Sequence, residues 1–237
     1  MIQHTDSIKK LIAPDLEVLN RGFAPLSPVE RLKRLYEFFP VEEVLYTSSF
    51  GTKSRLLLSY ISRVQPEQVV HFIDTTYHFA ETIQYRNELS QRLGLPLKNV
   101  LPDPVQNALT REEEWWRDHP KMCCTVNKVA ALRPVIDQHR IWISGIMRSQ
   151  TQFRSTLQIF EKQGDIIKFQ PLVDLPEKDF HREISELDVP PHPLEAQGYG
   201  SIGCIHCTVP GAGREGRWSG QEKKECGLHP SYFTRKS

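Results

Sequence analysis

The stretch VEEVLYTSSFGTKS (residues 41–54) decides the fold, because a buried-type strand runs directly into a loop of small polar residues. Residues 41–47 have the β-branched and apolar side chains of a strand, and Ser48, Ser49 and Gly51 follow. An apolar-rich helix comes next, so the loop's N–H groups and hydroxyls lie where a phosphate is commonly bound. The loop lacks the Gly-Lys pair of a Walker motif. An ordinary strand-to-helix turn with a capping serine is the competing interpretation.

The segments around this loop predict a parallel α/β sheet. Residues 69–74 form a second short apolar run, and residues 141–145 form a third that ends in glycine. A helix is predicted from Ala80 to Leu93, with Gly94 as its stop. Strands that alternate with helices favour a right-handed βαβ arrangement. At 237 residues we expect one α/β domain, residues 1–209, followed by a mobile tail, residues 210–237.

The composition excludes several classes of protein. A net charge of +1 gives no bulk field that would recruit nucleic acid or an anionic membrane. The N-terminus lacks a basic stretch followed by an apolar one, and no apolar run approaches the roughly 20 residues of a membrane span. We therefore expect a cytoplasmic protein that holds any anionic ligand through a local cluster of cations.

Four of the five cysteines form two close pairs. Cys123 and Cys124 are adjacent, and Cys204 and Cys207 form a Cys-x-x-Cys motif. In a reducing compartment such spacing indicates a metal site more than a disulfide framework. Zinc with four thiolates and a [4Fe–4S] cluster both use such cysteines. The adjacent pair favours the cluster, because neighbouring side chains diverge and reach separate iron corners more easily than one ion.

The fifth cysteine, Cys226, stands apart near the C-terminus. A lone cysteine is more often an inert core residue, but this one lies in a polar stretch. Lys223, Lys224 and His229 are close in sequence and would favour the thiolate. These neighbours predict a reactive nucleophile on a tail that can also meet a second protein.

Basic residues follow the cysteine motifs. Arg214 and Arg217 come after Cys-x-x-Cys, Lys128 lies four residues after Cys124, and Arg148 and Arg154 follow the third strand. Any one of them would ordinarily be a solvated surface residue. Their recurrence near the cysteines predicts a site for phosphate or sulfate oxygens, which guanidinium groups bind bidentately.

These motifs together resemble the assimilatory adenylylsulfate (APS) reductases. These are relatives of the phosphoadenylylsulfate (PAPS) reductases, within the adenine-nucleotide α-hydrolase-like, or PP-loop, fold. Residues 48–51 are similar to the family's modified PP-loop, and residues 73–75 to its second-strand signature. The four paired cysteines resemble the cluster motif of the iron–sulfur type. Residues 225–229, Glu-Cys-Gly-Leu-His, are similar to the C-terminal catalytic signature.

The resemblance implies a thioredoxin-dependent enzyme that reduces APS to sulfite and AMP in sulfate assimilation. Cys226 would be catalytic and would form an S-sulfocysteine intermediate, and thioredoxin or glutaredoxin would supply the electrons. Assembly into homo-oligomers stays open. A [4Fe–4S] cluster would be held by Cys123, Cys124, Cys204 and Cys207. The implied substrate-binding residues are Ser48, Ser49, Gly51, Asp74, Thr75, Lys128, Arg148, Arg214, Arg217 and His229.

Two departures and three rivals accompany the resemblance. Met147 stands where the family usually has an arginine, which removes one candidate substrate contact. The sequence contains no fused thioredoxin-like domain, so we expect the reductant to be a separate protein. A PAPS reductase or a dual APS/PAPS enzyme is the nearest rival. A PP-loop ATPase that thiolates tRNA is disfavoured by the incomplete loop and the near-neutral charge. A non-catalytic iron–sulfur sensor would leave Cys226 without a purpose.

Overall fold

A computed structural model describes residues 15–220 together with Lys223, Glu225 and Leu228. Its centre is a six-stranded sheet with the strand order β3-β2-β1-β4-β6-β5. All neighbouring strands pair in parallel except β5 and β6, which form an antiparallel hairpin at one edge. The mostly parallel α/β sheet predicted from the sequence is confirmed. The strands are β1 (Val44–Thr47), β2 (Val70–Ile73), β3 (Leu97–Val100), β4 (Ile141–Ile143), β5 (Phe160–Gln163) and β6 (Ile166–Phe169).

Helices cover both faces of the sheet and connect its strands. A π-helical turn, Thr125–Ala130, joins α7 to α8. Short 3₁₀ turns include Val41–Glu43 before β1 and Ile205–Cys207 in the Cys-x-x-Cys motif. The helices are α1 (Leu16–Phe23), α2 (Pro28–Phe38), α3 (Ser54–Val64), α4 (Ala80–Leu93), α5 (Pro104–Glu112), α6 (Trp115–Asp118), α7 (Pro120–Cys124), α8 (Ala131–Ile136) and α9 (Glu177–Ser185).

Local sequence signals explain several element boundaries. Ser27 and Glu30 form a capping box at the start of α2, in which each side chain bonds the other's backbone N–H. Helix α4 spans the predicted residues, and Gly94 ends it in the left-handed conformation, with φ of 64°. The predicted first strand is shorter than expected, because residues 41–43 form the 3₁₀ turn. Pro134 lies inside α8, which follows the π-helical turn.

The main core lies between the sheet and its helices. Beside this core, the buried side chain of Arg31 connects three segments of the chain. Arg31 on α2 is 3% exposed. Its guanidinium donates to the carbonyls of Phe23 and Pro171, at 3.0 Å each, and it pairs with Asp174. A buried arginine keeps its charge, so it needs these partners to offset the lost hydration.

Residues 198–220 fold against the body of the protein. Gly200 N donates to Gly211 O at 3.0 Å, and Val209 N donates to Gly216 O at 2.9 Å. A Cβ on Gly216 would lie 1.9 Å from Val209 O, so the close approach requires glycine there. Trp218 is 3% exposed. The domain boundary at residue 210 and the mobility of residues 210–237 stay predictions. None of the helices in the described part of the chain is long and apolar enough to cross a membrane.

We expect the substitution Arg31→Met to lower the free energy of unfolding by about 3 kcal/mol, because it leaves Asp174 and the carbonyls without their cation. Chemical denaturation followed by circular dichroism would measure the change. Arg34→Met on the same helix is the matched control. Arg34 is exposed, and its substitution should change the free energy of unfolding by less than about 0.5 kcal/mol. Equal effects of the two variants would contradict the assigned role of Arg31.

Candidate active site

The main pocket opens at the carboxyl ends of β1, β2 and β4. From β1 the chain adds β2 and β3 on one side and then returns to place β4 on the other side. Such a reversal leaves a crevice where α/β sheets bind ligands. The cavity measures about 340 Å³. Its apolar wall includes Leu57, Ile73, Trp142 and Ile146, which offers a surface for a flat aromatic ring.

The loop after β1 forms the floor of this pocket, as the sequence predicted. Ser48, Ser49 and Gly51 all line the cavity. Phe50 has a φ of 48°, which is unusual for a residue with a side chain, and its ring is fully buried against Phe72 at 5.9 Å. The buried ring holds the turn in shape, so the small polar residues on either side face the cavity.

Cations dominate the polar part of the pocket. Among the described residues that line it, one carboxylate, Glu177, accompanies six cationic side chains. Glu177 pairs with one of them, Lys53, at 3.5 Å. A surplus of positive charge beside backbone N–H groups is suited to binding an anion. The six cations are Lys53, Lys128, Arg154, Lys168, Arg214 and Arg217.

The Arg217 side chain packs directly against the backbone of Gly203, where it lines the pocket. Its Nη1 donates to Ile202 O at 3.1 Å, and its guanidinium lies 4.4 Å from the centre of the Trp218 ring. A Cβ on Gly203 would lie 2.3 Å from Arg217 Nη2, so the guanidinium occupies the space that any other residue would fill. Gly203 therefore determines where this cation is held.

A second, smaller pocket adjoins the first and contains the paired cysteines. Cys123, Cys124, Cys204 and Cys207 all line it, and each is less than 9% exposed. Lys128, Arg217 and Trp218 line both pockets. The fold therefore brings the two sequence-distant cysteine pairs together beside the cationic site.

Polar groups form hydrogen bonds with three of these sulfurs, and those on Lys223 and Asn127 are donors. Lys223 Nζ lies 2.9 Å from Cys124 Sγ, and Asn127 Nδ2 lies 3.6 Å from Cys123 Sγ. Thr75 Oγ1 lies 3.3 Å from Cys204 Sγ. Such donors stabilise negative charge on sulfur. Within residues 15–220, 223, 225 and 228, no group of three or more His, Cys, Asp or Glu side chains is arranged to hold a single metal ion.

Burial affects the ionisation of the site. It raises the pKa of the Cys123 thiol to about 12, and the neighbouring thiols add to this effect. Burial also raises the pKa of Cys207 to about 11, although Lys128 and Lys223 oppose the change. Burial lowers the pKa of His78 to about 4, so this pocket-lining imidazole is neutral at pH 7.

The π-helical turn places Lys128 at the junction of the two pockets. A π turn shifts the register of side chains relative to an α-helix, and such turns are frequent at functional sites. Asn127 in this turn donates to Thr110 Oγ1 and to Cys123 O, at 3.0 Å each, and accepts from Asn107 Nδ2 at 2.7 Å. This fully buried network fixes the backbone that carries Lys128.

Aromatic rings cover the outer side of the cysteine pocket. The Trp116 ring stacks on His206 with centroids 4.0 Å apart and planes 12° apart. Tyr77 packs edge-on against both rings. This wall keeps the thiols away from solvent. Of its three rings only Trp116 comes from the charged segment 110–121, and Tyr77 and His206 come from distant parts of the chain.

Three residues predicted to bind substrate lie outside the main pocket's lining. Asp74 accepts from Thr76 N at 3.0 Å and pairs with Arg86, and Thr75 lines the cysteine pocket instead. Arg148 Nε donates to Leu157 O at 2.8 Å, and Arg154 lines the pocket in its place. Cys226 and His229 lie outside the described residues. The other predicted substrate-binding residues, Ser48, Ser49, Gly51, Lys128, Arg214 and Arg217, line the pocket.

Some residues of the site carried little signal in the sequence. Lys168 contributes its ammonium 4.4 Å from the centre of the Trp142 ring, and it belongs to a strand, β6, that the sequence reading did not include. Asn127 lies beside Lys128, and Glu225 is the first residue of the C-terminal signature, but neither was assigned a role from the sequence. Glu225 accepts from Arg154 Nη2 at 2.7 Å, a contact between residues 71 positions apart.

Comparisons with known proteins agree with this geometry. Residues 43–210 match the phosphoadenosine phosphosulfate reductase domain. The adenosine 5'-phosphosulfate reductase of Lysinibacillus sphaericus is 35% identical, over 79% of this chain and 84% of its own length. That of Salinibacter ruber is 32% identical, over 91% of this chain and 89% of its own length. A phosphoadenylyl-sulfate reductase from Candida auris, solved as a phosphate complex, has a TM-score of 0.70 at 25% identity and covers 84% of this chain and 99% of its own.

The fold and the crevice define a nucleotide-binding α/β enzyme of the PP-loop type. The chain belongs to the phosphoadenosine phosphosulfate reductase family. The family resemblance inferred from the sequence is thereby confirmed, and so is the class of enzyme that acts on a sulfur group.

The close contact of Gly203 with Arg217 gives a test of the anion site. Gly203→Ala should displace the guanidinium and weaken AMP binding by about tenfold or more, since a hydrogen bond to a charged group contributes roughly 1.5–3 kcal/mol. Isothermal titration calorimetry would measure the affinity. Gly22→Ala is the control, because a Cβ there has no neighbour within 4 Å. Unchanged AMP affinity in Gly203→Ala would show that Arg217 does not contribute to AMP binding.

Proposed function

We propose that this protein reduces adenylylsulfate to sulfite and AMP for sulfate assimilation and cysteine biosynthesis in the cytoplasm, with thioredoxin or glutaredoxin as reductant. The observation that carries the proposal is the junction of two pockets. A cationic crevice at the strand ends meets a pocket of four buried thiols, and Lys128, Arg217 and Trp218 line both. The relatives named as adenosine 5'-phosphosulfate reductases support the same reaction.

The pocket's two walls fit the two ends of such a substrate. The adenine ring would lie against the apolar wall near Leu57 and Trp142, and the phosphosulfate would face Lys128, Arg214 and Arg217. Fixed cations offset the charge that gathers on the AMP phosphate as it leaves. Ser48, Ser49 and Gly51 would hold the nucleotide from below.

Cys226 is the proposed nucleophile. Its thiolate attacks the sulfonate sulfur, a bond between the two sulfurs forms, and the bond from sulfur to the phosphate oxygen breaks with its electron pair leaving on AMP. A thioredoxin thiolate then attacks the Cys226 sulfur, and sulfite leaves with the electron pair of the broken bond between the sulfurs. The second thioredoxin thiol resolves the mixed disulfide, so thioredoxin supplies both electrons. A tail that closes for the first step and opens for the second serves both reactions.

The cysteine pocket fits a [4Fe–4S] cluster. Four buried thiols line one space, and Lys223, Asn127 and Thr75 lie within hydrogen-bond distance of three of the sulfurs. We propose that Cys123, Cys124, Cys204 and Cys207 hold the cluster. Because thiols supply both electrons, the bound cluster would contribute charge and substrate positioning near Lys128 instead of electrons. Zinc is the alternative ion.

A PAPS reductase is the second candidate function. The solved relative from Candida auris is named for that activity, and its fold covers most of this chain. The two reactions differ only in a 3'-phosphate on the substrate. The paired cysteines favour APS, since they resemble the motif that distinguishes the iron–sulfur type.

The substrate is tested by thioredoxin-dependent sulfite release. We expect kcat/KM for APS to exceed that for PAPS by about 100-fold or more, because a misplaced phosphate leaves charge unpaired in a buried site. Steady-state assays with each substrate at equal thioredoxin would measure the ratio. A ratio inverted in favour of PAPS would replace the proposal with the second candidate.

The nucleophile is tested by Cys226→Ser. This variant should bind APS or AMP normally and form no covalent sulfite adduct, because the hydroxyl of serine is far less ionised than a thiol. Mass spectrometry of intact protein mixed with APS, without thioredoxin, would show the adduct in the wild type alone. An adduct on another residue would refute the assignment.

The cluster is tested by iron and zinc content and the visible spectrum after anaerobic purification. We expect about four irons per chain in the wild type and in Cys226→Ser, and loss of the iron in Cys124→Ser. Stoichiometric zinc without iron would replace the cluster with the zinc site.

A further inference from the structure

Glu225, the residue before Cys226 in the sequence, has its carboxylate held by a nearly buried set of donors. Arg154 donates to both oxygens, from Nε at 2.9 Å and from Nη2 at 2.7 Å. Thr151 Oγ1 donates at 2.9 Å, and Arg214 Nη2 lies 3.3 Å away. The side chains of Arg154 and Glu225 are 8% and 15% exposed. A bidentate, desolvated pair of this kind is a strong and directional contact.

The described residues on either side of Glu225 are also attached to the walls of the two pockets. Lys223 Nζ donates to Pro120 O at 2.7 Å and contacts Cys124 Sγ. Leu228 O accepts from Lys168 Nζ at 3.2 Å and from Gln163 Nε2 at 3.3 Å. Lys223 thus contacts the cysteine pocket, and Leu228 lines the main pocket. Glu225, which lies between them in the sequence, contacts the two arginines of the anion site.

The arginines that hold Glu225 belong to the cationic pocket itself. Both Arg154 and Arg214 line it. Residues joined by one peptide bond have Cα atoms about 3.8 Å apart, so fixing Glu225 limits where its neighbour Cys226 can lie. Proximity of a nucleophile to its target accounts for a large part of catalysis, and a misplacement of about 1 Å can cost about 100-fold in rate.

We propose that Glu225 is a positioning residue, whose carboxylate docks on Arg154 and Arg214 and so limits how far the adjoining nucleophile, Cys226, can lie from the anion pocket. This inference rests on the proposed function, in which Cys226 is the nucleophile. Arg154 acts as the partner of Glu225, and Arg214 is shared between Glu225 and the phosphosulfate. Because Arg214 contacts both groups, binding of the phosphosulfate and docking of Glu225 would affect each other.

The test compares Glu225→Gln with Glu215→Gln. The second variant removes a carboxylate from an exposed position in the same region and leaves the contacts of Arg154 intact. In rapid-quench single turnovers without thioredoxin at saturating APS, we expect Glu225→Gln to form the S-sulfocysteine about tenfold or more slowly than the wild type. Its affinity for AMP should not weaken, and Glu215→Gln should match the wild type in both measurements.

Limited trypsinolysis gives a readout that does not depend on the reaction. Lys223 and Lys224 precede Glu225, and loss of the docking contact should speed cleavage after them by about tenfold or more in Glu225→Gln. Arg154→Gln should expose the same bonds. Wild-type sulfonation and wild-type cleavage in Glu225→Gln would overturn the proposal, as would a loss of AMP affinity equal to the loss of rate.

The two proposals fail in different ways. If the wild type forms no adduct on Cys226, the proposed nucleophile is wrong, whereas faster cleavage of Glu225→Gln would still show that the carboxylate docks the segment. If the wild type forms the adduct and Glu225→Gln forms it equally fast, the reaction stands and the positioning role is overturned.

Discussion

The reversal of strand order between β1 and β4 is the constraint on which the rest of the structure depends. Strands β2 and β3 extend the sheet from one side of β1, and β4 and the β5–β6 hairpin extend it from the other. The loops that leave β1 and β4 therefore diverge and leave the crevice between them. The small residues after β1 and Ser144–Gly145 after β4 can then approach a ligand from two sides, while the apolar strands beneath them stay in the core.

The crevice acquires its positive charge only from segments that are distant in the sequence. Lys128 comes from a π-helical turn, Lys168 from β6, and Arg214 and Arg217 from the folded stretch after the Cys-x-x-Cys motif. That stretch is held close by glycines: Gly216 lies against Val209 O, and Gly203 leaves room for the Arg217 guanidinium. Cys204 and Cys207 lie immediately before this stretch. Residues 204–217 thus contribute two cations to the anion site and half of the cysteine pocket.

The sequence predicted those parts of the fold that local chemistry determines. The stop at Gly94 and the three central strands follow from side-chain pattern and turn chemistry, and they are confirmed. Strand β3 and the β5–β6 hairpin were missed, because their short alternating runs are only partly apolar, although Gly164 at φ of 64° marks the hairpin turn. Sequence motifs correctly located the loop after β1 and the four paired cysteines in the two pockets.

The sequence named both Arg148 and Arg154 but could not predict which of them lines the pocket, because the difference arises in a pair of 3₁₀ turns after β4. Arg148 turns back to Leu157 O, whereas Arg154 extends toward the pocket and meets Glu225. No local sequence pattern predicts a contact between Arg154 and Glu225, which are 71 positions apart. Similarly, the contact of Lys223 with Cys124 needs the whole fold to be in place.

Permanent charge explains why Arg154 and the C-terminal segment belong together. A guanidinium does not lose its proton at any physiological pH, so an arginine that is 8% exposed requires an anion close by. At Arg31 the partner comes from the domain itself, in Asp174, and the pair is permanent. At Arg154 the partner comes from the segment that carries Cys226. Without that segment, the Arg154 guanidinium would need water or another anion as its partner. The cationic pocket beside it is suited to binding an anion. With Glu225 in its proposed role, charge neutralisation at Arg154 and Arg214 would link the position of the C-terminal segment to the anion that the crevice binds.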